Sequence, residues 1–190
     1  MNQGSRPERS PRRVPPPLDA RRLDELALAY VARFATSAGK LADYLRRKLR
    51  ERGWEGEAAA DVPAVVARMV EKGFVDDAVF ARARGQGLLR RGYGARRIGQ
   101  ALGAAGIGEA LREEGLGSDR ERRAAALTLA RKRRFGPFGR GTGAARHDPA
   151  TREKQVAAML RAGHPLASAR AMVDAASIEE AESWVDEDLD

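Results

Sequence analysis

The segment from Ala78 to Gly108 contains six arginines and no acidic residue. The arginines are Arg82, Arg84, Arg90, Arg91, Arg96 and Arg97. Guanidinium groups pair bidentately with carboxylates and phosphates, so a cluster without acids of its own favours an anionic partner. The alternative is a solvated arginine face, and we prefer the binding interpretation because the excess is clustered.

Tyr93 lies among these arginines, between Gly92 and Gly94. A tyrosine ring can stack on a base or on an arginine plane, and flanking glycines would let a partner approach the backbone closely. An internal role is an equal alternative for Tyr93 alone, as a packed side chain beside a glycine that ends a helix.

A second basic cluster is formed by Arg131, Lys132, Arg133 and Arg134, and Arg120, Arg122 and Arg123 precede it. Attraction to the helix dipole explains one or two of these charges but hardly all of them. Phe135 and Phe138 follow in a segment rich in glycine. We expect them to anchor the core rather than to contact a partner.

Residue patterns typical of enzymes are absent from the sequence. The chain has no Cys, and His147 and His164 lack the spacing and neighbouring carboxylates of a metal site. Both histidines are expected at the surface, and Asp76 or Asp77 is expected to cap a helix rather than to bind metal. We therefore predict a non-enzyme with no catalytic residue, cofactor or metal.

The elements that position these residues follow from a pattern that occurs three times. A branched apolar residue, a Leu four positions later and a Gly recur at Leu45–Leu49–Gly53, Ile98–Leu102–Gly106 and Val156–Leu160–Gly163. The apolar pair shares one helix face, and glycine commonly ends a helix. No alternating β pattern of useful length occurs. The sequence therefore predicts an all-α protein of tandem helical modules.

The charge of the chain is uneven. The 190 residues carry a formal net charge of +8, but Glu179–Asp190 holds seven acidic residues and no basic one. Residues 1–178 carry 35 basic and 20 acidic side chains, a net charge of +15, which favours a polyanionic partner. A helix and disorder are equal alternatives for the acidic end. It could compete with the partner for the basic face, but a solubilising tail is the preferred interpretation.

Composition and the positions of helix-breaking residues divide the chain into five parts. They are a disordered leader rich in Pro and Arg at 1–17, helical modules at 18–75, 76–117 and 118–177, and the acidic tail at 178–190. Asp19 is predicted to cap the first helix and Thr36 or Ser37 the second, while the third module begins near Asp119. Residues 135–149 are predicted to form a loop. No membrane span or signal-peptide core is present, so we expect an elongated, cytoplasmic monomer.

Three segments resemble the RecX regulators of the bacterial recombinase RecA. Residues 73–82 (GFVDDAVFAR) are similar to the family's junction between the first two modules. Residues 90–98 (RRGYGARRI) match downstream, with Leu102 and Gly106 in step, and residues 152–156 (REKQV) are similar to the third-module helix. The order of the segments carries more weight than any one of them. The short third helix of module two, His164 and the long loop at 135–149 depart from the family pattern.

The resemblance implies three tandem three-helix modules related in shape to helix-turn-helix domains. It also implies binding to RecA or in the groove of the RecA–DNA filament, with inhibition of strand exchange, ATP hydrolysis and coprotease activity. Such a protein modulates homologous recombination and the SOS response. A general double-stranded nucleic-acid-binding protein is the alternative, with DNA as a direct partner. The predicted partner-binding residues are Arg82, Arg84, Arg90, Arg91, Tyr93, Arg96, Arg97, Arg131, Lys132, Arg133, Arg134, Arg152 and Lys154.

Overall fold

The computed structural model describes residues 16–139 and 148–187. Ten α-helices occupy these ranges, and the described residues contain no β-strand. The helices are α1 Ala20–Val31, α2 Ala38–Arg52, α3 Val62–Glu71, α4 Asp77–Leu89, α5 Ala95–Gly103, α6 Glu109–Glu114, α7 Asp119–Arg133, α8 Pro149–Arg161, α9 Leu166–Asp174 and α10 Ile178–Asp186. The prediction of an all-α protein is confirmed. None of these helices combines the length and apolar character that crossing a bilayer requires.

Side-chain caps begin most of the helices where the sequence places them. Asp19 accepts from the amide of Arg22 and Ser37 from that of Lys40, as expected. Of the two candidates before α4, Asp76 is the cap, whereas Asp77 accepts from the amide of Ala38 at 2.8 Å. These caps satisfy backbone donors that the helices leave unpaired.

The recurring glycines end their helices as predicted. Gly53, Gly106 and Gly163 follow α2, α5 and α8 with positive φ angles of 79°, 75° and 97°. A side chain at such an angle would be strained, so glycine is the residue that lets the chain turn back onto its own core.

Three hydrophobic clusters hold the helices together, and we use them to define three helical groups. The first group, α1–α3, buries Leu41 and Leu45. The second, α4–α6, buries Ile98 and Leu102, and the third, α7–α10, buries Met159 among others. Each fully buried Leu or Ile contributes roughly 1.5–3 kcal/mol relative to an exposed one. The second and third clusters meet along α7, so these two groups share a helix as well as a boundary.

The groups join through glycines at the ends of helices. At the first junction, Ser37 Oγ donates to the carbonyl of Ala105, and a Cβ on Gly39 would lie 2.7 Å from that oxygen. At the second junction, the amide of Gly94 donates to the carbonyl of Ala162 at 3.0 Å. The start of one group's second helix is therefore seated on the end of the next group's second helix.

The acidic end is a packed helix over most of its length. Ala181 and Val185 of α10 are buried, and α10 lies against α7. Arg120 pairs with Asp186 at 2.7 Å, and Arg131 pairs with Glu182. Of the two alternatives, the helical one therefore holds for residues 178–186, and the third group carries a fourth helix.

Several predictions concern residues at the edges of the described ranges. Residues 1–15 of the predicted leader and residues 140–147 of the predicted loop, with His147, lie outside the described residues. The carbonyls of Pro16 and Pro17 accept hydrogen bonds from Arg52 and Arg22. Phe135 and Phe138 pack against the third cluster, which confirms their role as core anchors.

Candidate binding cleft between the second and third helical groups

A cleft of about 270 Å³ lies where the turn after α4 meets the C-terminal ends of α7 and α8. Its charged lining is entirely basic: Arg91, Lys132, Arg133 and Arg161. Tyr93 and Phe135 supply aromatic surface. The cleft therefore brings together the two basic clusters that the sequence places about 40 residues apart.

A second depression of about 370 Å³ adjoins the first and is lined by Arg84, Arg91 and Arg97. Tyr93 and Arg91 line both depressions, so the two are continuous around the tyrosine. We call the two depressions together the cationic surface; its charged residues are Arg84, Arg91, Arg97, Lys132, Arg133 and Arg161.

The cationic surface is not neutralised from within. Its six cations are exposed, and none forms an ion pair with an acidic side chain of the part of the chain that the structure describes. Cations of one sign in neighbouring concavities attract an anionic ligand and raise its local concentration. Tyr93, with 36% of its surface exposed, can stack on a planar group held there.

Three of the thirteen predicted residues are engaged within the chain. The Arg96 guanidinium donates to the carbonyl of Leu160 and so caps the end of α8 across the junction. Arg131 pairs with Glu182, and Arg152 forms a two-pronged pair with Asp174. These arginines support the third group, and their internal contacts compete with any external ligand.

The other predicted residues divide according to position. Arg82, Arg90, Arg134 and Lys154 are exposed but line neither depression of the cationic surface. Sequence reasoning missed Arg161, which lines the cleft from the last turn of α8. Arg161 could have been found from the sequence, because it stands between Leu160 and Gly163 at the end of a predicted helix.

The glycines beside Tyr93 serve the fold. A Cβ on Gly94 would lie 2.4 Å from the carbonyl carbon of Gly163, and one on Gly92 would lie 3.0 Å from the amide nitrogen of Leu129. The close approach that these glycines allow is therefore to the third helical group of the same chain.

His164 is buried, and its predicted place at the surface is wrong. It is 4% exposed, and its Nε2 lies 3.0 Å from the carbonyl oxygen of Gly92. Burial lowers the pKa of His164, against a smaller opposing effect of that hydrogen bond. A neutral imidazole with its proton on Nε2 donates to the carbonyl, so His164 ties the turn that carries Tyr93 to the third group.

Potential metal ligands are not gathered in the described part of the chain. Within residues 16–139 and 148–187, no group of three or more His, Asp or Glu side chains is placed to hold a metal ion. The described acidic residues whose pKa is shifted, such as Glu121 beside Ser118, are exposed helix caps or partners of surface cations. Fold and site together define a class: a protein of tandem helical groups with a cationic cleft at a group junction.

Comparison with known proteins identifies the family of the chain. A family model described as RecX, second three-helix domain, matches residues 76–116. The regulatory protein RecX of Myxococcus xanthus (strain DK1622) is 31% identical over 179 residues, which cover 88% of this chain and 91% of that protein. The chain belongs to the RecX family of regulatory proteins.

Two solved structures share the fold. The crystal structure of RecX from Lactobacillus salivarius has a TM-score of 0.62 and 17% identity, covering 81% of this chain and 94% of that one. A second crystal structure of a regulatory protein RecX has a TM-score of 0.63 and 16% identity, covering 82% and 71%. The succession of helical groups is therefore the fold of this family.

Proposed function

We propose that the protein binds RecA assembled on DNA and inhibits strand exchange, ATP hydrolysis and coprotease activity. It would thereby restrain homologous recombination and the SOS response, acting as a cytoplasmic monomer. Membership of a regulatory family supports the proposal. The observation that carries it is the cationic cleft, in which Arg91 from one group faces Lys132 and Arg161 from the next.

The chemistry of the cleft fits the surface of a protein–DNA filament. Guanidinium and ammonium groups in a concavity recognise phosphates of the DNA backbone or carboxylates of the protein coat. A ligand held between two helical groups would also fix their relative position. A protein that spans neighbouring RecA protomers in this way would block or slow the changes that accompany filament growth and hydrolysis.

The direct test is RecA ATP hydrolysis on single-stranded DNA with less than one molecule of this protein per RecA protomer. We expect substoichiometric inhibition by the wild type. Charge reversal of Arg91 and Lys132 to Glu should relieve it by at least about tenfold in the concentration needed, because each change replaces attraction by repulsion.

A matched control reverses two exposed arginines outside the cleft, Arg50→Glu with Arg170→Glu. This variant has the same net charge as the cleft variant, so it separates the cleft from a general effect of charge. Unchanged hydrolysis and strand exchange at a full equivalent of wild-type protein would refute the proposal.

Double-stranded nucleic acid alone is the second candidate partner. The cations of the cleft form no ion pair with a described acidic side chain, which favours this partner, because the phosphates of a DNA backbone attract such cations without any contact to RecA. A steep fall of DNA affinity with rising salt, together with no effect on RecA, would establish this alternative instead.

A further inference from the structure

Helix α4 is apolar on two faces, although only one of them is covered. Its inner face buries Ala81, Gly85 and Leu88. Val79, Ala83 and Gly87, spaced four residues apart, lie on the opposite side, and Phe80 lies at the edge of that side, half-buried and packed against the second core. A surface helix normally carries polar residues there, so the apolar outer side of α4 requires an explanation.

This outer side opens into a groove of about 520 Å³. Phe74, Val79, Phe80 and Ala83 line it, together with residues that follow α1 and α3. Phe74 is 51% exposed and Val79 53% exposed. We call Phe74, Val79, Phe80, Ala83 and Gly87 the α4 outer face. Large apolar side chains gathered beside a groove are typical of a surface that binds a partner.

Gly87 supplies an independent observation. Glycine inside a helix lowers stability relative to alanine, so its presence usually has a local cause. For Gly85 the cause is internal, since a Cβ there would lie 1.9 Å from the carbonyl oxygen of Gly115. A Cβ on Gly87 would meet nothing nearer than the Arg90 guanidinium at 4.0 Å. The fold leaves room at the half-buried Gly87, and a glycine on a helix face allows a partner's backbone to approach.

Charge defines the kind of partner. Arg84 lines the groove at the edge of the stripe, and it forms no ion pair with an acid in the described ranges. Lys40 lies 5.5 Å over the ring of Phe80. The acid at the groove, Asp76, is already used as the cap of α4. The rim is cationic, so the complementary ligand has an apolar stripe between acidic flanks.

Other occupants are disfavoured by the same charges. A second copy docked face to face would bring the cations Arg84 and Lys40 against an identical cationic rim. The acidic helix α10 is already packed on α7 through Ala181 and Val185, so it is not free to fill the groove. Residues 1–15 carry four arginines and one acid, so their charge does not complement the cationic rim.

We infer that the α4 outer face docks an acidic amphipathic helix of the RecA protomer, beside the polyanion contact made by the cationic surface, with which it shares Arg84. The inference rests on the proposed function for the identity of the partner. The mode is helix in groove, in which apolar anchors on one helix face fill a groove and charged flanks fix the register.

The test measures the affinity of full-length protein for RecA filaments formed on single-stranded DNA. Ala83→Glu should weaken binding by about tenfold or more, while Ala83→Lys, of similar length, should bind severalfold more tightly than Ala83→Glu. Gly87→Gln should weaken binding while leaving the melting temperature equal or higher, because a helix former replaces glycine. The matched control is Gly99→Gln in α5, where a Cβ would also meet only a side chain at 4.0 Å; it should bind like the wild type.

The outcomes separate the two proposals. In one outcome the wild type binds filaments and reversal of Arg91 and Lys132 weakens this binding, whereas Ala83→Glu and Gly87→Gln bind like the wild type. The α4 inference is then wrong and the proposed function stands. Equal loss in Ala83→Glu and Ala83→Lys would refute the acidic partner. A wild-type dimer that Ala83→Glu dissolves would make a second copy the occupant and overturn the inference. Failure of wild type to bind filaments would refute the proposed function and the α4 inference with it.

Discussion

Gly94 and Gly163 meet backbone to backbone, and this contact joins the second helical group to the third. The amide of Arg96, two residues further on, donates to the Gly163 carbonyl at 3.2 Å. Gly39 and Gly106 repeat the contact at the first junction, where a Cβ on Gly106 would lie 2.9 Å from Cα of Gly39. The positions of the cationic residues relative to one another depend on these close contacts.

The Gly94 contact can be tested by adding one methyl group. Gly94→Ala should lower the free energy of unfolding by about 1–3 kcal/mol, because overpacking displaces backbone that cannot move aside easily. The control is Gly108→Ala. Both glycines are helix N-caps with negative φ, −85° and −65°, but nothing lies within 4 Å of a Cβ on Gly108. Urea denaturation of both variants measures the difference, and equal stabilities would show that the junction tolerates the methyl group.

The contacts at these junctions could not be predicted from the sequence. Local signals were sufficient for the caps Asp19 and Ser37 and for the helix-ending glycines, because each acts on its own helix turn. The pairing of Gly94 with Gly163 depends on packing between residues distant in sequence, and no local pattern encodes it. His164 was assigned to the surface for the same reason: its partner, Gly92, lies 72 residues away.

The acidic end shows the same limit in a different way. Ile178, Ala181 and Val185 share a helix face, but this local pattern competes with a high density of charge. The deciding contacts come from α7, where Arg123 donates to the carbonyl of Trp184 and lies 4.9 Å over its ring.

The two basic clusters of the cleft can likewise be predicted from the sequence. Their convergence in one cleft and the contribution of Arg161 follow from tertiary packing.

Buried His164 should make stability depend on pH. Burial lowers its pKa in the folded state below the value of about 6.5 expected for the unfolded chain. Between these two values the unfolded chain binds more protons, so stability rises with pH and is lost as pH falls below about 6.5. We expect this loss to be smaller in His164→Gln, which cannot titrate but can still donate to Gly92. Denaturation midpoints measured at about pH 7.5 and about pH 5.5 test this; parallel losses in both proteins would contradict it.

Two neighbouring arginines of α5 should respond differently to truncation. Arg96→Ala removes the hydrogen bond to the Leu160 carbonyl and should lower the free energy of unfolding by about 1 kcal/mol. Arg97 lines the cationic surface, and no side-chain hydrogen bond of its own holds it among the described residues. Arg97→Ala should therefore keep the stability and lose affinity for the filament. Thermal melts and filament-binding assays of both variants test this difference. The assignment of Arg96 to the fold and Arg97 to binding is wrong if Arg97→Ala is the less stable protein.

The charges of α10 should hold down affinity for anionic partners. Glu182 occupies Arg131, which stands next to Lys132 at the basic end of α7 that lines the cleft, and Asp186 occupies Arg120 at the other end of that helix. Truncation after Ser177 would also uncover the third core, because Ala181 and Val185 are buried. Glu182→Gln with Asp186→Asn removes the charges and leaves the packing.

This double variant should bind DNA or RecA filaments severalfold more tightly at low salt. The gain in affinity should shrink as the salt concentration rises and the Debye length falls to about 8 Å. A matched control removes the exposed acids Glu113 and Glu114 at the end of α6 by the same substitution to Gln. It gives the same change in net charge without freeing Arg120 or Arg131. If both variants gain equally, affinity depends on net charge alone and α10 has no specific inhibitory contact.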